Sequence, residues 1–174
     1  LGLVGSEMCI RDSFTPSVFK WTYNLQATSV LDAAKGGVFE GYNNQYGGEY
    51  AHLSNPQKLR FILGDNLQEA VVGTITEQET QLQHSPIIGW AFDGNPIYGP
   101  YGYTDPTDQS SEITRLRTSY RVKPALVQTS NNPSPVRTAG PLLSVEAAGN
   151  FVEDYEYVFN LGDLDQYNGR FCKT

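Results

Sequence analysis

The sequence predicts an all-β or β-rich, sandwich-like single domain with long Gly- and Pro-rich loops. Three observations carry that expectation. Aromatic residues make up 12% of the chain, with eleven Tyr and eight Phe, beside 17 Gly and 10 Pro, a balance that suits strands joined by turns better than helices. Apolar residues recur with period two rather than 3.6 in several stretches. Turn-forming pairs punctuate the chain at short intervals.

Taken in order, Phe19, Trp21, Tyr23 and Leu25 alternate with Lys20, Thr22 and Asn24, the pattern of a half-buried strand. Residues 36–50 hold five glycines and read as a long loop with at most a short strand at Val38–Phe39. Leu59, Phe61 and Leu63 alternate again ahead of Gly64-Asp65-Asn66. Asp65 stands where it would cap a short helix through Gln68–Val72, although Gly73 and Thr74 oppose that helix. Ile87–Phe92 is a compact apolar run, read as a buried strand that enters the turn Asp93-Gly94-Asn95-Pro96. Residues 104–112 and 128–141 are polar and Pro-rich loops. Phe151–Phe159 reads as an aromatic strand, and GDLDQYNGR after it as a polar turn. There is no internal repeat and no low-complexity tract.

Charge and hydropathy narrow the function classes. The formal net charge is −7 and the isoelectric point is near 4.7, which argues against nucleic acid as partner, since phosphate binding needs a basic face. The densest basic stretch, Arg115, Arg117, Arg121 and Lys123, alternates with Leu116, Tyr120 and Val122 as the solvated side of a strand would. No apolar run has the length of a membrane span.

The first residues, LGLVGSEMCIRDS, lack an initiator Met and the anatomy of a secretory signal. Leu3–Ser13 resembles one reading frame of a transposon-type library adapter. On that reading residues 1–13 are non-native, and residues 14–174 are one domain truncated at the C-terminus and also at the N-terminus. The formal charge then becomes about −6, and Cys172 is the one cysteine left, assigned a structural role.

The motifs lie in three blocks: HSPIIGWAFDGNPIYGPYGY (His84–Tyr103), FVEDYEYV (Phe151–Val158) and GDLDQYNGRF (Gly162–Phe171). They resemble the YHYH domain family, in the form found in large structural proteins of marine phages and in bacterial secreted proteins. The resemblance covers Tyr42–Thr174. Where phage-type sequences carry Tyr-His-Tyr-His ahead of Ser-Asn-Pro, this chain has Tyr50-Ala51-His52-Leu53. The resemblance implies a virion or extracellular setting and, as partners, other virion or cell-surface proteins or glycans. It implies no cofactor and no defined activity.

The candidate residues are few. Asp93, Gly94 and Asn95 form one structural turn, and Asn168, Gly169 and Arg170 another, with Asx-type hydrogen bonds as the expected glue. Arg170 offers a planar fork, expected to pair with Asp163 or Asp165 or, if the two turns meet at one end of a sheet, with Asp93. His52, His84 and Asp93 could make a two-His, one-carboxylate metal site. Asp163, Asp165 and Asn168 resemble a calcium loop, but Gly169 stands at position seven instead of six and Thr174 at twelve instead of Glu. Tyr98, Tyr101 and Tyr103 form either an aromatic binding platform or a cap on the core. There is no nucleophile motif, phosphate loop or His-Glu-x-x-His, so no catalytic residue is assigned. Two function classes remain: a non-enzymatic structural or attachment module, favoured by Ala51 and Leu53 in the name-giving motif, and a small metal-binding or catalytic domain built on His84, Asp93, Asp163 and Asp165.

Overall fold

The computed structural model describes residues 13–14, 21–24, 27, 31–32, 35–39, 49–52, 54–91, 93–138 and 140–172. Among these residues, twelve short strands pair two by two into six antiparallel ribbons. β1 (Ser13–Phe14) pairs with β2 (Trp21–Thr22), and β3 (Gly36–Phe39) with β4 (Glu49–His52). β5 (Leu67–Val71) pairs with β6 (Thr74–Glu77), and β7 (Ile87–Trp90) with β8 (Pro96–Tyr98). β9 (Tyr101–Tyr103) pairs with β10 (Ile113–Arg115), and β11 (Tyr120–Val122) with β12 (Tyr155–Tyr157). A short helix, α1 (Gln57–Ile62), precedes β5, and 3-10 turns lie at Pro124–Leu126 and Val152–Asp154.

The chain is strand-rich, as its composition predicts. The sandwich-like stacking expected from the sequence has no counterpart among the described residues, where every sheet has two strands. Short strands cut by Gly and Pro turns leave too little apolar face for two sheets to close on one another. Buried apolar side chains among the described residues are Leu67, Tyr101, Leu126 and Phe151. Large apolar side chains such as Ile62, Val72, Trp90, Phe159 and Phe171 are exposed.

Several local expectations change. The Leu59–Leu63 alternation belongs to α1, whose buried residue is the charged Arg60, while Phe61, Ile62 and Leu63 face solvent. Gln57, Lys58, Leu59 and Arg60 are all good helix formers following a proline, and the helical turn carries Arg60 inward. The helix expected over Gln68–Val72 is instead β5, which folds back on β6 across Val72-Gly73, with Gly73 at φ 85°. Asp65 does not cap it; Asp65 is buried against Arg60. Ile87–Trp90 is a strand, but Ile87 and Trp90 are exposed because the ribbon is not covered on both faces. The strand expected at Phe151–Phe159 is limited to Tyr155–Tyr157, preceded by a 3-10 turn that buries Asp154.

Val38–Phe39 lies in a strand, but β3 starts two residues earlier, at Gly36, and Glu49–Tyr50 of the expected loop belong to β4, with which β3 pairs. In the first predicted strand, Trp21 and Thr22 form β2, whereas Phe19, Lys20 and Leu25 lie outside the described residues. Most of the adapter-like segment lies outside them too, although Ser13, its last residue, pairs with Thr22. No helix among the described residues is long and apolar enough to cross a membrane.

Among the described residues, two buried ionic clusters take the place of a large apolar core. In the first, Arg60 Nε donates to Asp65 Oδ2 at 2.5 Å, and Nη1 and Nη2 donate to the Glu77 carboxylate at 2.7 and 3.1 Å. In the second, Arg137 makes a two-pronged pair with Asp154, 2.7 Å on each side. Arg137 also donates to the carbonyls of Pro141, Glu146 and Ala147, and its guanidinium lies 5.0 Å from the Phe151 ring centre. Burying charge is costly unless geometry and hydrogen bonding are nearly complete, and both clusters meet that condition. Arg137 thereby fixes the Pro-rich loop to the segment before β12, and Arg60 fixes α1 to the β5–β6 ribbon.

Candidate functional site

The Arg60 cluster extends directly under the His84–Tyr103 block. Asp65 Oδ1 accepts hydrogen bonds from the Asn66 backbone N–H at 2.8 Å and from Ser85 Oγ at 2.8 Å. Ser85 is a rivet: its Oγ accepts the Tyr101 N–H at 3.1 Å, and its own N–H donates to the Tyr101 carbonyl at 2.9 Å. Gly99, between Tyr98 and Tyr101, passes so close that a Cβ there would lie 2.5 Å from Asp65 Oδ2 and 2.7 Å from Ser85 Oγ. Only glycine admits that approach. The turn from β8 to β9 therefore rests on a rigid ionic base.

Of the three tyrosines expected to form a platform, Tyr101 belongs to the core. It is 4% exposed, its hydroxyl donates to Glu77 Oε2 at 3.1 Å, and its ring lies beneath the Arg60 guanidinium. Burial, and then the neighbouring Glu77 charge and hydrogen bond, push its hydroxyl above the ordinary tyrosine range. Tyr98 and Tyr103 instead flank His84, with ring centres 5.2 and 5.1 Å from the imidazole. All three are partly exposed. His84 Nδ1 lies 2.9 Å from the Ser85 carbonyl oxygen. A carbonyl can only accept, so Nδ1 carries the proton and, in the uncharged ring, Nε2 presents a lone pair.

Asp93 and Arg170 do not pair as expected. Asp93 is exposed and accepts the Asn95 N–H at 3.1 Å within its own turn, with Gly94 at φ 85°. Hydrogen bonds from the Asn95 backbone, and then from its side chain, hold the Asp93 carboxyl below its ordinary range. Arg170 donates to the Tyr103 carbonyl, not to Asp93, Asp163 or Asp165. It thus holds the end of β9, two residues from Tyr101. A backbone carbonyl suffices for Arg170 because Asp163 and Asp165 are already engaged. Asp163 accepts the Arg117 N–H at 2.8 Å, and Asp165 accepts the N–H groups of Tyr167 and Gly169 at 2.8 and 2.9 Å. Asn168, at φ 55°, accepts the Thr118 hydroxyl at 2.5 Å, and Ser119 Oγ donates to the Leu164 carbonyl at 2.5 Å. The Asx turn expected there is present, and its hydrogen bonds run to Thr118, Ser119 and Tyr120 at the start of β11.

His52 lies in β4, opposite Gly36, with its ring 5.2 Å from that of Tyr50. Leu53, the last position of the degenerate motif, lies outside the described residues. The structure joins His84 to tyrosines and Asp93 to its own turn, not to each other. Among the described residues, no group of three or more His, Cys, Asp or Glu side chains is placed to hold a metal ion.

Arg60, Glu77, Ser85, Arg137 and Asp154 carry the architecture and were missed by the sequence reading. The one available signal was Arg60 lying alone between Leu59 and Phe61.

Searches of curated proteins and of solved structures returned no match. The family model described as YHYH protein matches residues 10–174, so the chain belongs to the YHYH family.

Proposed function

We propose that the chain is a non-enzymatic structural or attachment module of a larger virion or extracellular protein, of the kind found in phage structural proteins. Its partners are other virion or cell-surface proteins or glycans. One observation carries the reading: the groups that chemistry would require are engaged in architecture. Asp93, Asp163 and Asp165 hold backbone N–H groups of turns, as hydrogen-bonded loop carboxylates commonly do. Glu77, Asp65 and Asp154 neutralise buried arginines. What remains outward is a pinned aromatic patch suited to contact.

The test is co-sedimentation of the purified chain with intact bacterial cells and with their extracted surface fractions. Saturable binding to a surface fraction is the expected result. Absence of saturable binding throughout, combined with turnover of a small substrate that is lost in His84→Ala, contradicts the reading.

A further inference from the structure

Resting on the attachment reading, we infer that His84, Tyr98 and Tyr103 form a binding site for a neutral, hydroxyl-rich saccharide. Three partly exposed rings lie within 5.2 Å of one another in the pairs His84–Tyr98 and His84–Tyr103. Among the described residues, no partner stands within hydrogen-bonding reach of the Tyr98 and Tyr103 hydroxyls. His84 Nδ1 is turned to the Ser85 carbonyl, so in the uncharged ring Nε2 is an acceptor, and no donor reaches it among the described residues. The patch therefore offers ring faces, two hydroxyl donors and one imidazole acceptor.

A sugar matches that set. Its C–H faces stack on aromatic rings, and its hydroxyls both donate to Nε2 and accept from the phenols. A proline-rich peptide also stacks on tyrosines, but proline has no N–H to offer the waiting acceptor. A polyanionic glycan is disfavoured by the net charge of −7.

The site is also preorganised. Ser85 is bonded to Asp65 and, twice, to Tyr101, which fixes His84 on one side. Gly99 seats Tyr98 on the ionic base, and Arg170 holds the Tyr103 carbonyl. Little motion is lost on binding, which is how a small patch gains affinity.

Affinity electrophoresis of the full chain tests this, with gels containing β-glucan, α-mannan, xylan or galactan, alongside alginate and a proline-rich peptide. Retardation by at least one neutral polysaccharide is expected, weakened about tenfold in Tyr98→Ala and in Tyr103→Ala, since each removes one ring contact. Tyr98→Phe and Tyr103→Phe keep the packing and serve if the alanine variants fail to fold; each loses binding through its missing hydroxyl. Nitrogen-15 spectra of His84 should show a protonated Nδ1 and a shift at Nε2 on adding the retarding polysaccharide. No retardation by any neutral polysaccharide, retardation only by alginate or by the peptide, or binding unchanged in all four variants overturns the saccharide site. If the chain still sediments with cell surfaces in that case, the attachment reading stands without it.

Discussion

Replacing Arg60 with Met should be among the most damaging single changes in the protein. The Arg60 side chain is 0% exposed, and its partners Asp65 and Glu77 are 0% and 19% exposed. Methionine fills the aliphatic volume but leaves two carboxylates in the interior without their counter-ion. Breaking such a buried pair by removing one partner costs about 3–5 kcal/mol. That is a large fraction of the roughly 5–15 kcal/mol that holds a typical domain together. Arg121→Met is the control: Arg121 and Glu156 form an ion pair at 2.9 Å, but the side chains are 47% and 34% exposed. Solvent screening limits such a pair to about 0–1 kcal/mol. Urea unfolding followed by the fluorescence of Trp21 and Trp90 measures both. A triple variant, Arg60→Met with Asp65→Asn and Glu77→Gln, should lose less than the sum of its parts, because no unpaired charge remains. Equal small losses for Arg60→Met and Arg121→Met, or additive behaviour in the triple variant, would refute the reasoning.

Three further outcomes are expected. Gly99→Ala drives a methyl group into the Asp65–Ser85 contact and should cost about 1–3 kcal/mol, whereas Gly94→Ala meets no atom within 4 Å and carries only the left-handed backbone strain of about 1 kcal/mol; thermal melts in the reverse order contradict the packing described. Asp93, Asp105 and Asp108 are held below their ordinary value of 3.8 by hydrogen bonds within their turns, so their contribution to stability is present above that pH and lost as pH falls below it. Tyr101, raised above its ordinary 10.0, contributes below pH 10 and ceases to as pH rises past it, so Tyr101→Phe should flatten the alkaline limb of the stability profile. We also propose that Leu1–Ser13 adds no stability to the fold despite the Ser13–Thr22 pairing: a chain beginning at Phe14 should melt within error of the full chain, and a loss of several degrees would show that the segment contributes packing.

The strand-rich class and the turns were legible because they depend on local chemistry. Asp-Gly-Asn-Pro and Asp-x-x-Asn-Gly dictate backbone geometry wherever they occur, and both turns formed as their residues predict. Period-two reading failed at Leu59–Leu63 because it assumes that apolar residues face inward. There the inward residue is Arg60, whose two acidic partners are five and seventeen positions away. The Arg137–Asp154 pair was illegible for the same reason: a cation in a Pro-rich loop looks solvated until a distant 3-10 turn supplies its carboxylate. In the candidate site, the tyrosines were legible as a group but their division was not. Tyr101 is drawn inward by Glu77 and Arg60, while Tyr98 and Tyr103 remain beside His84. Arg170 donates to the Tyr103 carbonyl instead of to the carboxylate expected of it, and a backbone carbonyl leaves no mark in a sequence.

We propose that the described acidic and imidazole groups serve architecture and contact rather than metal chemistry. The most direct test is elemental analysis of the full chain after loading with zinc or copper and exhaustive dialysis. No stoichiometric metal should remain, and His84→Ala should leave the result unchanged. One equivalent of zinc or copper surviving dialysis, and lost in His84→Ala, would contradict the account.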